Sequence, residues 1–282
     1  MSRILKHLGH SARVLFGRIS AGRRLTIFPD DRFLVSYPRS GSTWSRFLIG
    51  NLLSTTEPIT FANIESRCPS IYLCTDRHLR RVARPRLLTS HEPFDPSYKT
   101  IIYVVRDPRD VAVSFYHYSI KHRHIPDDYP VEKFVSRFVT AEVHPMYDQW
   151  GSWADHVMSW VTMRQGRSGF FLLRYEDMVE APESELAKVA SLLKLDVTQA
   201  QLSRAVELSS ADRMRRLEKE QHQLWTQTSR TRADKPFVRS ASSGDWKSNL
   251  PQSCVDEIES AWGSVMRTLG YPVSKDASVI TA

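Results

Sequence analysis

Cysteine is scarce in this sequence. Its 282 residues hold three, Cys68, Cys74 and Cys254, an odd number with no CxxC or Cys/His ligand spacing. Neither a disulfide framework nor a structural metal site is therefore expected, and the compartment should be reducing and cytoplasmic. No run approaches the roughly 18 apolar residues of a membrane-spanning helix. No repeat period and no Gly/Ser/Pro-rich linker divides the chain, although Glu218 to Ser243 is polar enough for a long loop. With 41% hydrophobic residues, one large domain with a sizeable core is expected. A basic stripe interleaved with aromatics is also missing, so the net charge of +8 does not imply a nucleic-acid partner.

Most of that charge is local. Arg3, Lys6, Arg13, Arg18, Arg23 and Arg24 stand in residues 1 to 24 without a single acid, and the remainder is nearly balanced. Set against Ile4, Leu5, Leu8, Leu15, Phe16 and Ile19, these residues suit an amphipathic helix. Such a helix is packed or solvated in most proteins; its alternative use is weak contact with an anionic membrane surface, which would make the protein peripheral. A second basic run, Arg77, Arg80, Arg81, Arg84 and Arg86, reads as a solvated face.

What is present centres on Phe33 to Trp44. The apolar run Phe33-Leu34-Val35 reads as a buried strand that must stop near Pro38, which lacks an N–H for pairing. Trp44, Phe47, Leu48 and Leu52 follow helical spacing, with a first turn at Ser42 to Ser45. Between them lie Arg39, Ser40, Gly41, Ser42 and Thr43: a cation, three hydroxyls and a glycine that allows close backbone approach. This is a phosphate cradle at a helix N-terminus. It is not the GxxxxGK[ST] loop of nucleotide triphosphatases, because the lysine and second glycine are missing. It resembles the loop Y-P-K-S-G-T-T-W that holds the 5′-phosphosulfate in the cytosolic sulfotransferase family.

Further segments extend that resemblance in order. Arg86-Leu87-Leu88-Thr89-Ser90-His91 reads as a short strand, closed by Pro93 and Pro96. It is similar to the family segment R-L-I-K-T-H-L-P, which implies that His91 is a general base; the family's lysine is replaced at Thr89. Ile101 to Val105 is a continuous β-branched and aromatic run, as in a parallel strand covered on both faces. Arg106 ends it, Asp107 and Pro108 start a helix, and Ser114 lies about two turns on, so arginine and serine can grip one phosphate. Arg106 to Ser114 resembles the family's 3′-phosphate motif R-N-x-x-D-x-x-V-S. Phe134, Phe138, Trp150, Trp153 and Trp160 read as core, and the Gly151-Ser152-Trp153 segment again resembles the family. Gly169 to Arg174 reads as another buried strand, running into Tyr175-Glu176-Asp177-Met178. The resemblance implies that Tyr175 helps hold the adenine, and Trp44 offers a flat face to stack on a purine. Arg239 to Lys247 resembles the clamp R-K-G-x-x-G-D-W-K, with Ser240 and Ala241 replacing lysine and glycine; an arginine within Thr228 to Arg232 is the candidate to restore the lost charge. The family dimer motif is not recognisable, since Pro251 and Gln252 stand where Thr-Val would be.

The expected fold is α/β, a single domain with a central parallel sheet flanked by helices and a phosphate-loop-like strand-turn-helix nucleotide site. Tyr37, His91, Arg106 and Tyr175 all follow strand ends, which line one crevice in an open parallel sheet. The division implied is a basic segment over 1–25, a sulfotransferase domain over 26–273 and a tail over 274–282. The resemblance implies sulfuryl transfer from 3′-phosphoadenosine 5′-phosphosulfate (PAPS), without metal, to a hydroxyl or amine of a small-molecule acceptor. In that reading His91 and Arg39 are catalytic, while Arg39, Ser40, Gly41, Ser42, Thr43, Trp44, Arg106, Ser114, Tyr175 and Arg239 bind the nucleotide. Arg39 stands where the family usually has lysine, so it must act by charge and hydrogen bonding alone. The acceptor pocket is expected near Phe28, Pro93, Phe94, Tyr116 and Trp150. Two rivals are a phosphate-loop phosphotransferase with magnesium on Asp107 or Asp177, and a catalytically silent nucleotide-binding module.

Overall fold

The structure, a computed structural model, describes residues 20–143 and 147–274. The amphipathic reading of the basic N-terminal segment falls largely outside these residues, as does the tail beyond Ser274. Within them, β1 (Arg32–Ser36), β2 (Leu87–Ser90), β3 (Thr100–Val105) and β4 (Phe170–Arg174) form one parallel sheet in the order β2-β1-β3-β4. Phe33 pairs with Leu88 on one side and Ile101 on the other, and Tyr103 pairs with Leu172.

The alternation of side chains along these strands explains their uninterrupted apolar sequences. Phe33, Val35, Ile101, Tyr103 and Val105 face one core, shared with the helices Pro108–Lys121, Val131–Val139, Trp153–Arg164 and Gln252–Thr268. Leu34, Ile102 and Val104 face the other, packed by Ser42–Leu53, Pro182–Leu192 and Gln199–Leu208. In chain order the helices are α1 (Ser42–Leu53), α2 (Pro108–Lys121), α3 (Val131–Val139), α4 (Trp153–Arg164), α5 (Tyr175–Glu180), α6 (Pro182–Leu192), α7 (Gln199–Leu208), α8 (Ala211–Gln221) and α9 (Gln252–Thr268), with shorter turns between. A helical layer thus covers each face, and each such strand residue contributes about 1.5–3 kcal/mol by burial. The expected core aromatics Phe134, Phe138, Trp150, Trp153 and Trp160 are all buried.

Three expectations change. β4 is an edge strand on which only Leu173 is fully buried, and among the described residues no further strand lies beyond it. Gly169 precedes it at φ +77, where a Cβ would sit 2.5 Å from the Lys99 carbonyl oxygen, so glycine allows the chain to enter the sheet. The polar stretch from Glu218 is not all loop, since α8 runs on to Gln221 and Trp225 is buried. Arg86 is not part of a solvated face: it is 0% exposed and paired with Asp31. Arg77, Arg80, Arg81 and Arg84 are exposed as expected. Among the described residues no helix is long and apolar enough to cross a membrane.

Candidate active site

β1 stops at Ser36, and the chain turns sharply before α1. Ser40 N–H donates to the Tyr37 carbonyl, Arg39 has φ 70, and Gly41 has φ 102. A Cβ at Gly41 would lie 2.5 Å from the Tyr175 ring, so the turn can hold that ring only with glycine. No side chain caps α1, which leaves its first N–H groups facing an anion site.

Around this turn lies a cavity of about 350 Å³, lined by Arg39, Gly41, Ser42, Thr43, Trp44, Arg106, Ser114, Tyr175 and Arg239 among others. The topology explains the convergence: β1 and β3 are neighbours, and β3 and β4 are neighbours, so their C-terminal ends share one rim. Arg39 Nε donates to Ser114 Oγ at 3.3 Å, and its guanidinium lies over the rings of Tyr118 and Phe237 at 4.7 and 5.1 Å. Arg106 lies 4.1 Å over the Tyr175 ring, which meets Trp44 edge to face. Arg239 is paired with Asp245.

Of these cations, Arg39 is short of an anion. Among the described residues no carboxylate pairs with Arg39. Burial pushes its guanidinium down to about 10, and Arg106 and Arg239 press the same way. Asp110 is 3.7 Å from Arg106 but spends its two oxygens on the N–H groups of Gly244 and Trp246. Ser40 Oγ and Arg106 Nε are buried without partners. A doubly phosphorylated nucleotide fits this donor set, because it supplies negative charge at Arg39, where the described residues supply no carboxylate, and an acceptor for Arg106 Nε.

His91 and Ser40 stand outside the cavity lining. His91 follows β2, the neighbour of β1, and Val35 is in register with Ser90. Its Nδ1 is 2.8 Å from the Ser36 carbonyl oxygen, which can only accept. Nδ1 therefore carries the proton and Nε2 is the basic nitrogen. His91 is thus bonded to the last residue of β1, three residues before Arg39. Its ring stacks parallel to Tyr72 and meets Trp150 edge to face. Its backbone is fixed as well: His156 Nε2 donates to the His91 carbonyl, and Tyr103 hydroxyl donates to His156 Nδ1. Burial pushes His156 down to about 3, so it remains neutral in this chain of bonds.

Several contributors carry no local motif. Lys121 Nζ donates to the carbonyls of Lys235 (2.6 Å) and Arg232 (3.0 Å) and pairs with Glu218 at 3.4 Å. Glu218 in turn accepts from the N–H groups of Phe237 and Val238. This pin holds Phe237 against Arg39. Arg215 supports the clamp backbone, donating to the carbonyls of Arg239 and Ser240 while pairing with Asp212; Arg232 is committed to Asp127 and Asp234. Asp107 caps α2 and binds Arg109, which also pairs with Glu259 and lies over Trp246. Phe28, expected near the acceptor, lies under Arg84 and Arg86 at the opposite edge of the sheet.

Known proteins resemble this chain throughout. A family model described as a sulfotransferase domain matches residues 29–270. Sulfotransferase 1B1 from Canis lupus familiaris is 28% identical over 235 residues, covering 78% of this chain and 77% of that protein. Sulfotransferase 2B1 from Homo sapiens is 28% identical over 263 residues, covering 88% and 69%. Among solved structures, mouse sulfotransferase SULT7A1 complexed with PAP superposes with a TM-score of 0.70 at 24% identity, covering 88% of each chain. Retinol dehydratase in complex with androsterone and inactive cofactor PAP gives 0.68 at 18% identity, covering 92% of this chain and 85% of that one.

Proposed function

The chain belongs to the sulfotransferase family and is an enzyme that uses PAPS as sulfuryl donor; we propose that His91 is its general base and that the Arg39 turn stabilises the departing phosphate. PAPS, when bound, supplies the sulfuryl group. Arg39, the uncapped N–H groups of α1 and the hydroxyls of Ser40, Ser42 and Thr43 bind the 5′-phosphate and stabilise its growing charge. Arg106, Ser114 and Arg239 bind the 3′-phosphate, and Trp44 and Tyr175 hold the adenine. His91 takes the acceptor proton at Nε2 while Nδ1 stays bonded to the Ser36 carbonyl. Arg39 keeps its proton throughout, so the turn works by charge and positioning.

The observation that carries this reading is the meeting of three arginines at one cavity, with Arg39 lacking any carboxylate among the described residues. The match over residues 29–270 supports treating 26–273 as the sulfotransferase domain, with 1–25 and 274–282 as appendages. The acceptor is read as a small molecule with a hydroxyl or amine, approaching from the side of His91 and Trp150. Three free, buried cysteines support a cytoplasmic setting. The decisive experiment is a single-turnover assay with labelled PAPS and a mixed panel of acceptors. His91→Ala should lose about 10²- to 10⁴-fold in transfer while its calorimetric affinity for PAP is unchanged. Retained transfer would remove His91 from the mechanism.

A further inference from the structure

Glu92 immediately follows the proposed base, and its side chain is 1% exposed. A carboxylate so placed is costly unless it is paired and hydrogen-bonded. It has two partners. Tyr72 hydroxyl donates to Oε1 at 2.9 Å, and Arg23, from the basic N-terminal segment, pairs with Oε2. The same Tyr72 oxygen accepts from the His91 backbone N–H at 3.1 Å, and the Tyr72 ring lies parallel to the imidazole, 6° between planes. Glu92 also has its backbone fixed, its N–H donating to Ser90 Oγ and its carbonyl accepting from Trp160 Nε1. Arg23 is held near by the bonds from Ala21 N–H to the Cys74 carbonyl and Gly22 N–H to the Ile71 carbonyl, on either side of Tyr72. Arg23 itself is 52% exposed.

Burial and the adjacent carboxylate keep the Tyr72 phenol protonated, pushing it well above its ordinary value. It therefore donates to Glu92 and accepts from His91 N–H, which its oxygen can do at once. Removing any link frees the phenol that braces the imidazole on its flat side. The bond to Ser36 holds one ring nitrogen, and Tyr72 and Trp150 lie against the ring itself.

We propose that Tyr72 and Glu92 are positioning residues for His91, and that Arg23 closes the pair from outside, so that the N-terminal segment governs how the base is aimed. The inference rests on His91 being the base, and its test separates the two. In the full chain labelled with [15N]histidine, the ring nitrogen resonances of His91, assigned by their loss in His91→Asn, report its tautomer. The wild type should show a single Nδ1–H tautomer. Tyr72→Phe and Glu92→Gln should shift these resonances toward a mixture, and Arg23→Gln should do so less. In the labelled-PAPS assay, Tyr72→Phe should lower transfer about tenfold, the scale of a misaimed group, with unchanged PAP affinity. In the His91→Asn background it should have no further effect. Unmoved His91 resonances in both Tyr72→Phe and Glu92→Gln would overturn the proposal, leaving Glu92 as an anchor for residues 21–24. An equal loss in the His91→Asn background would overturn it too. Full transfer by His91→Ala sinks the base assignment, and the spectra then judge the bracing separately.

Discussion

Arg86 and Arg39 flank neighbouring strands, Arg86 at the N-terminal edge of the sheet and Arg39 at its C-terminal edge, and they are treated in opposite ways. Arg86, just before β2, gives Nε to Asp31 Oδ1 at 2.8 Å and Nη2 to Asp31 and the Thr26 carbonyl, with Phe28 beneath. Arg39, just after β1, has one serine hydroxyl and two ring faces. The first cation is neutralised by the fold. The second waits for charge from outside. A buried arginine alone says little about function; what separates a strut from a ligand site is whether the protein also supplies the anion.

The contrast is sharpened most by breaking the strut. Arg86→Met leaves the Asp31 carboxylate buried and uncompensated, and should cost about 3–5 kcal/mol of stability. Denaturant midpoints would read this, while PAP affinity of the folded fraction should stay at the wild-type value. Loss of PAP binding in step with stability would mean that the two edges are not independent. Arg39→Met should do the reverse. Transfer should fall by about 10²- to 10³-fold, the scale for removing one preorganised donor to developing charge. Near-normal turnover would make the cradle a binding feature only. Arg106→Ala comes next. A hydrogen bond to a charged group contributes about 1.5–3 kcal/mol, so calorimetry with PAP should show a dissociation constant raised by roughly 10- to 10²-fold. Its contacts with Tyr175, Asp110 and the Ser242 carbonyl mean that the melting temperature of the nucleotide-free variant should fall as well.

The same contrast sets what could be read from the chain. The strands, α1, α2 and the phosphate turn were legible because their signals are local: apolar runs, helical spacing, Asp107-Pro108 as a helix start. Which arginines reach the cavity was legible from their side of the strand, since Arg39 and Arg106 follow one and Arg86 precedes one. The short apolar strand before Arg174 did not reveal its edge position, because strand order is a property of the assembled sheet. The supports of the site were hidden for a similar reason. Lys121 reaches Lys235 and Glu218 holds Phe237, while Tyr72 and Arg23 meet His91 and Glu92 across long stretches of chain. Charges in polar sequence read as solvated until folding shows which are enclosed.

The smallest expected effect has an unusual sign. Arg39 has a lower pKa folded than unfolded, pushed down to about 10 by burial, so the unfolded chain holds that proton more tightly. Stability therefore carries a penalty that is fully present below the folded value, including at neutral pH, and that fades only as pH rises through it. Removing the charge should relieve the penalty and the repulsion from Arg106 and Arg239. Without nucleotide, Arg39→Met should be more stable than wild type by about 0.5–2 kcal/mol, the usual gain when a strained functional group is removed. Added PAP should then raise the melting temperature of wild type much more than that of the variant, reversing their order. If Arg39→Met were instead less stable than wild type without nucleotide, its contacts with Ser114, Tyr118 and Phe237 would outweigh its desolvation. Arg39 would then be a second strut, and the distinction between the two edges of the sheet would fail.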